Sequence, residues 1–266
     1  MKRRYSDAQV TTFVQEALKD GFSVLKNHFP REKVMQWREA CLPLLYKQID
    51  LEGGQTSRGA QRYYVTFPFT QPFSDPGFYE DPDIIAIVEQ LAGKDFVMCQ
   101  LASDTPMKGS DFQTIHRDCP PLFPEAKTET PMYQLALNFP LVDVTPENGP
   151  LEIIRGTHLM TKEQGIELIG SGKARIEAVS MQMGDVMIRD VRTLHRGTPN
   201  TTEEPRPMVV IGYSRSWLNR PEVSITIPRA EFDNLSEFAK RMLRNNPVSE
   251  EVDFSPKVES YTNFSY

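Results

Sequence analysis

Two short stretches hold residue types able to build a metal centre, Gln113-Thr114-Ile115-His116-Arg117-Asp118 and Arg192-Thr193-Leu194-His195-Arg196-Gly197. In a strand, side chains two positions apart leave the same face of the sheet, so His116 and Asp118 can reach a common point. That is half of a ligand set. A second imidazole, from His195, completes two histidines and one carboxylate, a set that leaves three positions open on an octahedral iron. A lone His-x-Asp arises by chance in many proteins, so its weight depends on what surrounds it. The rest of the chain must be the scaffold that brings these residues together.

The positioning elements can be read from periodicity and punctuation. Ser6 and Gln9 form a capping-box signature, followed by Val10, Phe13, Val14, Ala17 and Leu18 at helical spacing up to Gly21. Phe22 to Lys26 reads as a short strand. After Pro30, the residues Val34, Trp37, Cys41, Leu44 and Leu45 predict a second helix, and Asp83 to Gly93 a third. Between them, Leu51 to Pro82 is rich in Gly, Pro, Ser and aromatic residues and has no helical period. A long connection of this kind is expected either to wall a substrate pocket or to cover hydrophobic core. Short apolar or alternating runs then dominate: Phe96 to Ala102, Met132 to Phe139, Leu151 to Ile154, Ala178 to Met181, Val186 to Ile188 and Met208 to Tyr213. Thr161 to Gly172 reads as a small helix among them, and Ser236 to Arg244 as another near the end. In Met132 to Phe139, Gln134, Ala136 and Asn138 share one face; if that face looks inward, a polar cavity lies inside. The pattern fits a mainly β sandwich or jelly roll buttressed by helices rather than a parallel α/β sheet. The tail to Tyr266 is polar with an aromatic tip and carries no readable chemistry.

Composition sets limits. At 266 residues with 39% hydrophobic and 25% charged residues, the chain fits a globular protein organised as a single domain. The 21 prolines suit many short strands joined by substantial loops. A net charge of −6 offers no field to attract nucleic acid. No stretch approaches the roughly 20 apolar residues of a membrane span, and Met1 to Tyr5 leads into a polar helix rather than a signal-peptide core, so a cytoplasmic location is expected. Cys41, Cys99 and Cys119 lack zinc or redox spacing and read as reduced structural thiols. Nothing decides between a monomer and a homodimer.

Taken together, several features carry a resemblance. His116-Arg117-Asp118, the turn Pro146-Glu147-Asn148-Gly149-Pro150-Leu151, the segment Arg155-Gly156-Thr157-His158, the turn Gly184-Asp185-Val186, His195, and Arg206 eleven positions beyond it follow one another over about residues 96 to 217. This order resembles the phytanoyl-CoA dioxygenase family of Fe(II)- and 2-oxoglutarate-dependent oxygenases. The resemblance implies a double-stranded β-helix of the jelly-roll, cupin-like kind over about 96–217, with a helical N-terminal part over about 1–95 and a C-terminal extension over 218–266. It implies that His116, Asp118 and His195 bind iron and that Arg206 grips the distal carboxylate of 2-oxoglutarate. Arginine's planar fork suits that task better than lysine would. Gln113 and Gln134 are the candidates for further co-substrate contacts. Fe(II), 2-oxoglutarate and O2 are then the expected cofactors, with ascorbate as a stimulant, and the partner is a small organic molecule.

The chain departs from the family pattern at two places. Arg155-Gly156-Thr157-His158 stands where relatives often have Pro-Gly-Ser-His, and Gly197 stands where some relatives place a Ser or Thr that contacts the co-substrate. These bear on how 2-oxoglutarate is held rather than on the iron site. Asp118 beside the histidines argues against a halogenase, in which a small residue replaces the carboxylate. The competing readings are a non-catalytic jelly-roll protein that binds a small molecule, and a cupin-like isomerase or metal hydrolase, which would not need Arg206. Taken singly, Asp118 reads as a loop cap, Arg206 as a salt-bridge partner, and Gln113 and Gln134 as ordinary strand residues. His28 and His158 keep the plain reading of core or surface histidines.

Overall fold

The computed structural model describes residues 2–126, 128–258 and 264–265. Local signals set the first elements. The Ser6 hydroxyl accepts from the Gln9 backbone N–H, the Gln9 side chain caps in return, and Gly21 at φ 85° ends the helix Asp7–Asp20. The helix Arg31–Glu52 follows Pro30, and Pro82–Ala92 is capped by Asp81. The expected small helices are Lys162–Gly170, with a capping box from Thr161 and Gln164, and Glu237–Met242.

Two antiparallel sheets form the body. The larger runs Phe22–Leu25, Val186–Asp190, Gln134–Pro140, Met208–Ser214, Val97–Pro106 and Arg62–Thr66. The smaller runs Phe264–Ser265, His116–Arg117, His195–Gly197, Leu151–Ile153 and Glu177–Val179. Period-two alternation gives each strand of the larger sheet two destinations. Leu135, Leu137 and Phe139 belong to one core with Val14, Val34, Trp37, Ile87 and Leu91 from the three N-terminal helices. Gln134, Ala136 and Asn138, from the other face of the same strand, line a cavity. The helices therefore cover the outer face, and the polar face looks inward as the alternation anticipated. Edge-to-face aromatic pairs lock this layer, with Trp37 and Phe78 at 4.8 Å and Phe78 and Phe139 at 5.4 Å.

The structure corrects three readings of the sequence. The stretch from Leu51 to Pro82 is not one long loop. It completes the second helix, forms the hairpin Gln55–Thr56 with Gly59–Ala60, and supplies the edge strand Arg62–Thr66. Both expected roles are met, since Tyr63, Val65 and Phe67 join the core while Arg62, Tyr64 and Thr66 line the cavity, which Val65 and Phe67 also border. Residues before 96 thus contribute both edge strands of the larger sheet.

The stretch from Gly184 to Gly197, which reads in the sequence as a turn followed by a strand ending in His195, is likewise not one strand. Val186–Asp190 lies in the larger sheet and His195–Gly197 in the smaller, and the chain crosses between them at residues 191–194. Arg192 explains the break, because its Nε and Nη2 grip both oxygens of Asp190 at 3.0 and 2.7 Å, bending the chain back on itself. The Asp190 backbone N–H and the Thr193 hydroxyl both donate to Gly21 O, at 2.8 and 3.1 Å, which anchors the crossover to the end of the first helix.

This pair is buried, with side-chain exposures of 1% and 0%. Asp190→Ala would leave the guanidinium of Arg192 buried without its two-pronged partner, and a loss of about 3–5 kcal/mol in unfolding free energy is expected by urea denaturation. Asp190→Asn, which keeps an acceptor, should lose less.

The third correction concerns the tail. Val252–Lys257 line the cavity, and the Gln48 amide donates to Lys257 O at 2.8 Å. Phe264–Ser265 pairs antiparallel with His116–Arg117. The aromatic tip at Tyr266 lies outside the described residues. Cys41, Cys99 and Cys119 are buried and form no disulfide with one another, as expected of structural thiols. Among the described residues, no helix is long and apolar enough to cross a membrane.

Candidate metal centre and its cavity

His116 and His195 are directly opposed residues on neighbouring antiparallel strands of the smaller sheet. Opposed residues share a face and stand close, and here the ring centroids are 4.4 Å apart. Asp118 lies just beyond the two-residue strand, not within it as the His-x-Asp spacing suggested. Its place is set by its own backbone N–H, which donates to Val191 O at 3.0 Å in the crossover. The carboxylate Oδ1 of Asp118 stands 3.8 Å from His116 Nε2 and 3.4 Å from His195 Nε2. Ligand atoms of the three residues all fall within 4.8 Å of one another.

The remaining atoms of these side chains are committed elsewhere, which fits the set to a metal. His116 Nδ1 meets Thr114 O at 2.7 Å and His195 Nδ1 meets Thr193 O at 2.8 Å. A carbonyl can only accept, so each Nδ1 carries the proton and each Nε2 turns a lone pair toward the shared point. Burial, then the neighbouring His195, pushes the His116 imidazole down to about 4, so it stays neutral at pH 7. Burial opposes ionisation of Asp118, yet Arg189 and the two imidazoles hold its carboxyl well below the usual range. Arg189 Nη2 donates to Asp118 Oδ2 at 2.7 Å, which leaves Oδ1 for the cluster. Two imidazoles and one carboxylate with the other positions open suit iron(II).

The cluster faces a cavity of about 790 Å³ that is also lined by Gln113, Gln134, Arg189 and Arg206. Arg206 is buried, and no hydrogen bond or ion pair from its guanidinium is found among the described residues. Burial and the nearby Arg62 push it down to about 10, against the opposing pull of Asp104, so it remains charged at pH 7. It is not the surface salt-bridge partner that it would be taken for alone.

Gln113 and Gln134 are both at the cavity with their side chains already engaged. Gln113 Oε1 accepts from the Gly197 N–H at 2.9 Å, pinning the strand of His195, and Gln134 Oε1 accepts from Arg220 at 3.2 Å. His158 stays apart, with Nε2 at 3.1 Å from Leu18 O, and His28 sits 3.1 Å from Asp81.

Both departures from the family pattern have physical causes. Thr157 does what a serine hydroxyl there would do, accepting from the Leu194 N–H at 2.9 Å and donating to Ile154 O at 2.7 Å, one residue before His195. Gly197 is required by Arg62, because a Cβ at 197 would lie 2.6 Å from the guanidinium carbon. That guanidinium cannot retreat easily: it is buried and held by Asp104 Oδ2 at 2.9 Å and Thr198 O at 3.0 Å. Gly197→Ala is therefore expected to lower unfolding free energy by about 1–3 kcal/mol in thermal melts, the usual cost of overpacking.

Arg189 was not found from the sequence, although it alternates with Met187 on the inward face of its strand. The cavity-lining tail carries no local sign of its position.

Comparison with known proteins places this site in a family. The phytanoyl-CoA dioxygenase (PhyH) family model matches residues 17–208. The chain belongs to the phytanoyl-CoA dioxygenase family. Over 139 residues it is 25% identical to the iron/alpha-ketoglutarate-dependent dioxygenase ausO of Aspergillus calidoustus, covering 51% of this chain and 47% of that protein. The chain thus spans about half the length of the curated relatives it matches. Among solved structures, the non-heme alpha-ketoglutarate-dependent epimerase SnoN from nogalamycin biosynthesis has a TM-score of 0.62 at 23% identity, covering 79% of this chain and 85% of SnoN. HygX from Streptomyces hygroscopicus, solved with nickel, 2-oxoglutarate and hygromycin B, has a TM-score of 0.60 at 15% identity over 84% of this chain and 91% of HygX. These likenesses show the family's jelly-roll double-stranded β-helix.

Proposed function

We propose that the protein is an Fe(II)- and 2-oxoglutarate-dependent dioxygenase that oxidises an unactivated C–H bond of a small organic substrate in specialised metabolism. One observation carries this reading: a buried, charged Arg206, whose guanidinium has no partner among the described residues, shares a cavity with His116, Asp118 and His195. A buried cation without an acceptor is costly, and an anionic co-substrate relieves that cost. Family membership and the names of the relatives support the same reading.

In this proposal His116 and His195 present their Nε2 lone pairs and Asp118 its Oδ1 to iron, while Arg189 holds the other carboxylate oxygen in place. Arg206 receives the distal carboxylate of 2-oxoglutarate. Gln113 keeps the strand of His195 in register, and Gln134 together with Arg220 offers polar groups toward the co-substrate. Iron(II), 2-oxoglutarate and O2 together supply an oxidant able to take hydrogen from an unactivated C–H bond, with the co-substrate leaving as succinate and carbon dioxide. The cavity wall decides which C–H bond is presented. Hydroxylation is the outcome we favour, with desaturation or ring formation as variants of the same chemistry. A non-catalytic binding protein would be free to lose a ligand or the arginine, whereas this chain keeps all four.

We read residues 1–266 as one catalytic unit. Three buried thiols that form no disulfide with one another fit a reducing compartment such as the cytoplasm. The deciding assay incubates purified protein with Fe(II), ascorbate and 2-oxoglutarate and follows succinate with candidate substrates. Tight 2-oxoglutarate binding that does not depend on Arg206, or iron binding that does not depend on His116 and Asp118, would overturn the reading.

A further inference from the structure

The ligands of the cluster come from two stretches of chain that meet only in the fold. His116 and Asp118 flank Arg117, whereas His195 follows the crossover at residues 191–194. The crossover supports one ligand from each stretch. Val191 O accepts from the Asp118 backbone N–H at 3.0 Å, and Thr193 O accepts from His195 Nδ1 at 2.8 Å. Arg192 lies between these two carbonyls, so its placement governs both supports.

One carboxylate ties Arg192 to the other stretch. Glu129 Oε2 stands 3.3 Å from Arg192 Nη1, and Glu129 Oε1 stands 2.7 Å from Arg117 Nη1. Arg117 follows His116 in the same two-residue strand, so its side chain leaves the face opposite the metal ligand. The side chains of Arg117, Arg192 and Glu129 are only 0%, 1% and 6% exposed. Salt and water screen such a bridge little, and its charge-assisted hydrogen bonds hold their geometry more firmly than a surface pair would. Asp190 grips Arg192 within its own stretch, whereas Glu129 joins it to the strand of His116. Two further contacts run the same way. Thr130 O, next to Glu129, accepts from Arg192 Nη1 at 2.8 Å. Arg117 Nη2 donates to Thr157 O at 3.1 Å, and the Thr157 hydroxyl receives the N–H of Leu194, beside His195.

We propose that Glu129 is a positioning residue of the metal centre, which bridges Arg117 and Arg192 and so sets the place of the His116 and Asp118 pair relative to His195. It acts through the two arginines rather than on the metal. This rests on the metal reading of the cluster. A carboxylate suits the task because each of its oxygens accepts from one cation, whereas a glutamine accepts with one atom and turns an NH2 group toward the second guanidinium. The test uses full-length protein and Co(II), whose visible absorption reports the number and geometry of its ligands without any turnover.

In Glu129→Gln the dissociation constant for Co(II) is expected to rise about tenfold, the low end of the ~10–100-fold that follows loss of a group supporting a metal ligand, and the absorption spectrum to change shape. Glu129→Asp keeps the charge that the buried arginines require, so it preserves the fold if the glutamine variant does not. It is one methylene short of spanning both guanidiniums and should weaken Co(II) binding by at least about threefold, a smaller loss of the same kind. Circular dichroism identifies the folded samples. A role confined to the fold would lower the melting temperature of the metal-free variants while the folded protein kept wild-type Co(II) affinity and spectrum. That result in either variant overturns the proposal. His116→Ala separates the two claims. Wild-type Co(II) binding that His116→Ala leaves unchanged removes the metal reading and this proposal with it, whereas binding that needs His116 and is indifferent to Glu129 removes only the positioning role.

Discussion

Asp118→Ala is expected to abolish 2-oxoglutarate turnover and to weaken iron binding by well over the ~10–100-fold that loss of an outer-shell partner costs. Two effects add. The substitution removes the proposed ligand atom, the Oδ1 that stands 3.4 and 3.8 Å from the two imidazole Nε2 atoms. It also strips Arg189 of its ion-pair partner at 2.7 Å, leaving a buried cation beside the place where another cation must sit. Asp118→Asn keeps an oxygen toward the cluster and loses the charge, so it should bind iron more weakly than wild type but better than the alanine variant. Equilibrium dialysis of Fe(II) under nitrogen, beside succinate release, measures both. Wild-type affinity in Asp118→Ala would mean that the cluster does not hold the metal.

Arg206→Ala is expected to raise the dissociation constant for 2-oxoglutarate by at least about 30-fold, the low end of the ~2–5 kcal/mol lost when one partner of a buried charge pair is truncated. Arg206→Lys should fall between, because it restores charge without the planar fork. A second readout moves in the opposite direction. Without an anion, Arg206 is a buried guanidinium with no acceptor among the described residues, pushed down to about 10 chiefly by that burial. Arg206→Met removes this cost, so the protein without co-substrate should melt no lower than wild type. The upward shift in melting temperature that 2-oxoglutarate gives the wild type should vanish in the variant, since a ligand stabilises only by binding the folded state. A structural salt-bridge arginine would behave otherwise, with its loss lowering the melting temperature whether or not 2-oxoglutarate is present.

The readable parts of this chain share one property, that their cause is local. The capping boxes at Ser6 with Gln9 and at Thr161 with Gln164 lie within one helical turn, and both helices begin there. The alternation of Gln134, Ala136 and Asn138 needs only the two-residue period of a strand to foretell a polar inward face. The edge strand Arg62–Thr66 was hidden because its neighbours are glycines, prolines and aromatics with no period of their own, and its pairing partner lies some forty residues on, in Val97–Pro106. The break after Asp190 was hidden for a related reason, since Arg192 and Gly21 turn a run that reads as continuous.

By itself the sequence determined the donor types and their order, His116 and Asp118 first, then His195, then Arg206, together with the strand-rich scaffold that carries them. These follow from residue chemistry and short-range periodicity. Only the tertiary structure decided that His116 and His195 stand opposite each other, that Arg189 takes one oxygen of Asp118, and that Arg62 occupies the space a side chain at 197 would need. It alone brought the tail at 252–257 to the cavity wall. Those contacts join residues from 71 to 209 positions apart, and their energy depends on packing and burial that no stretch of the chain carries on its own.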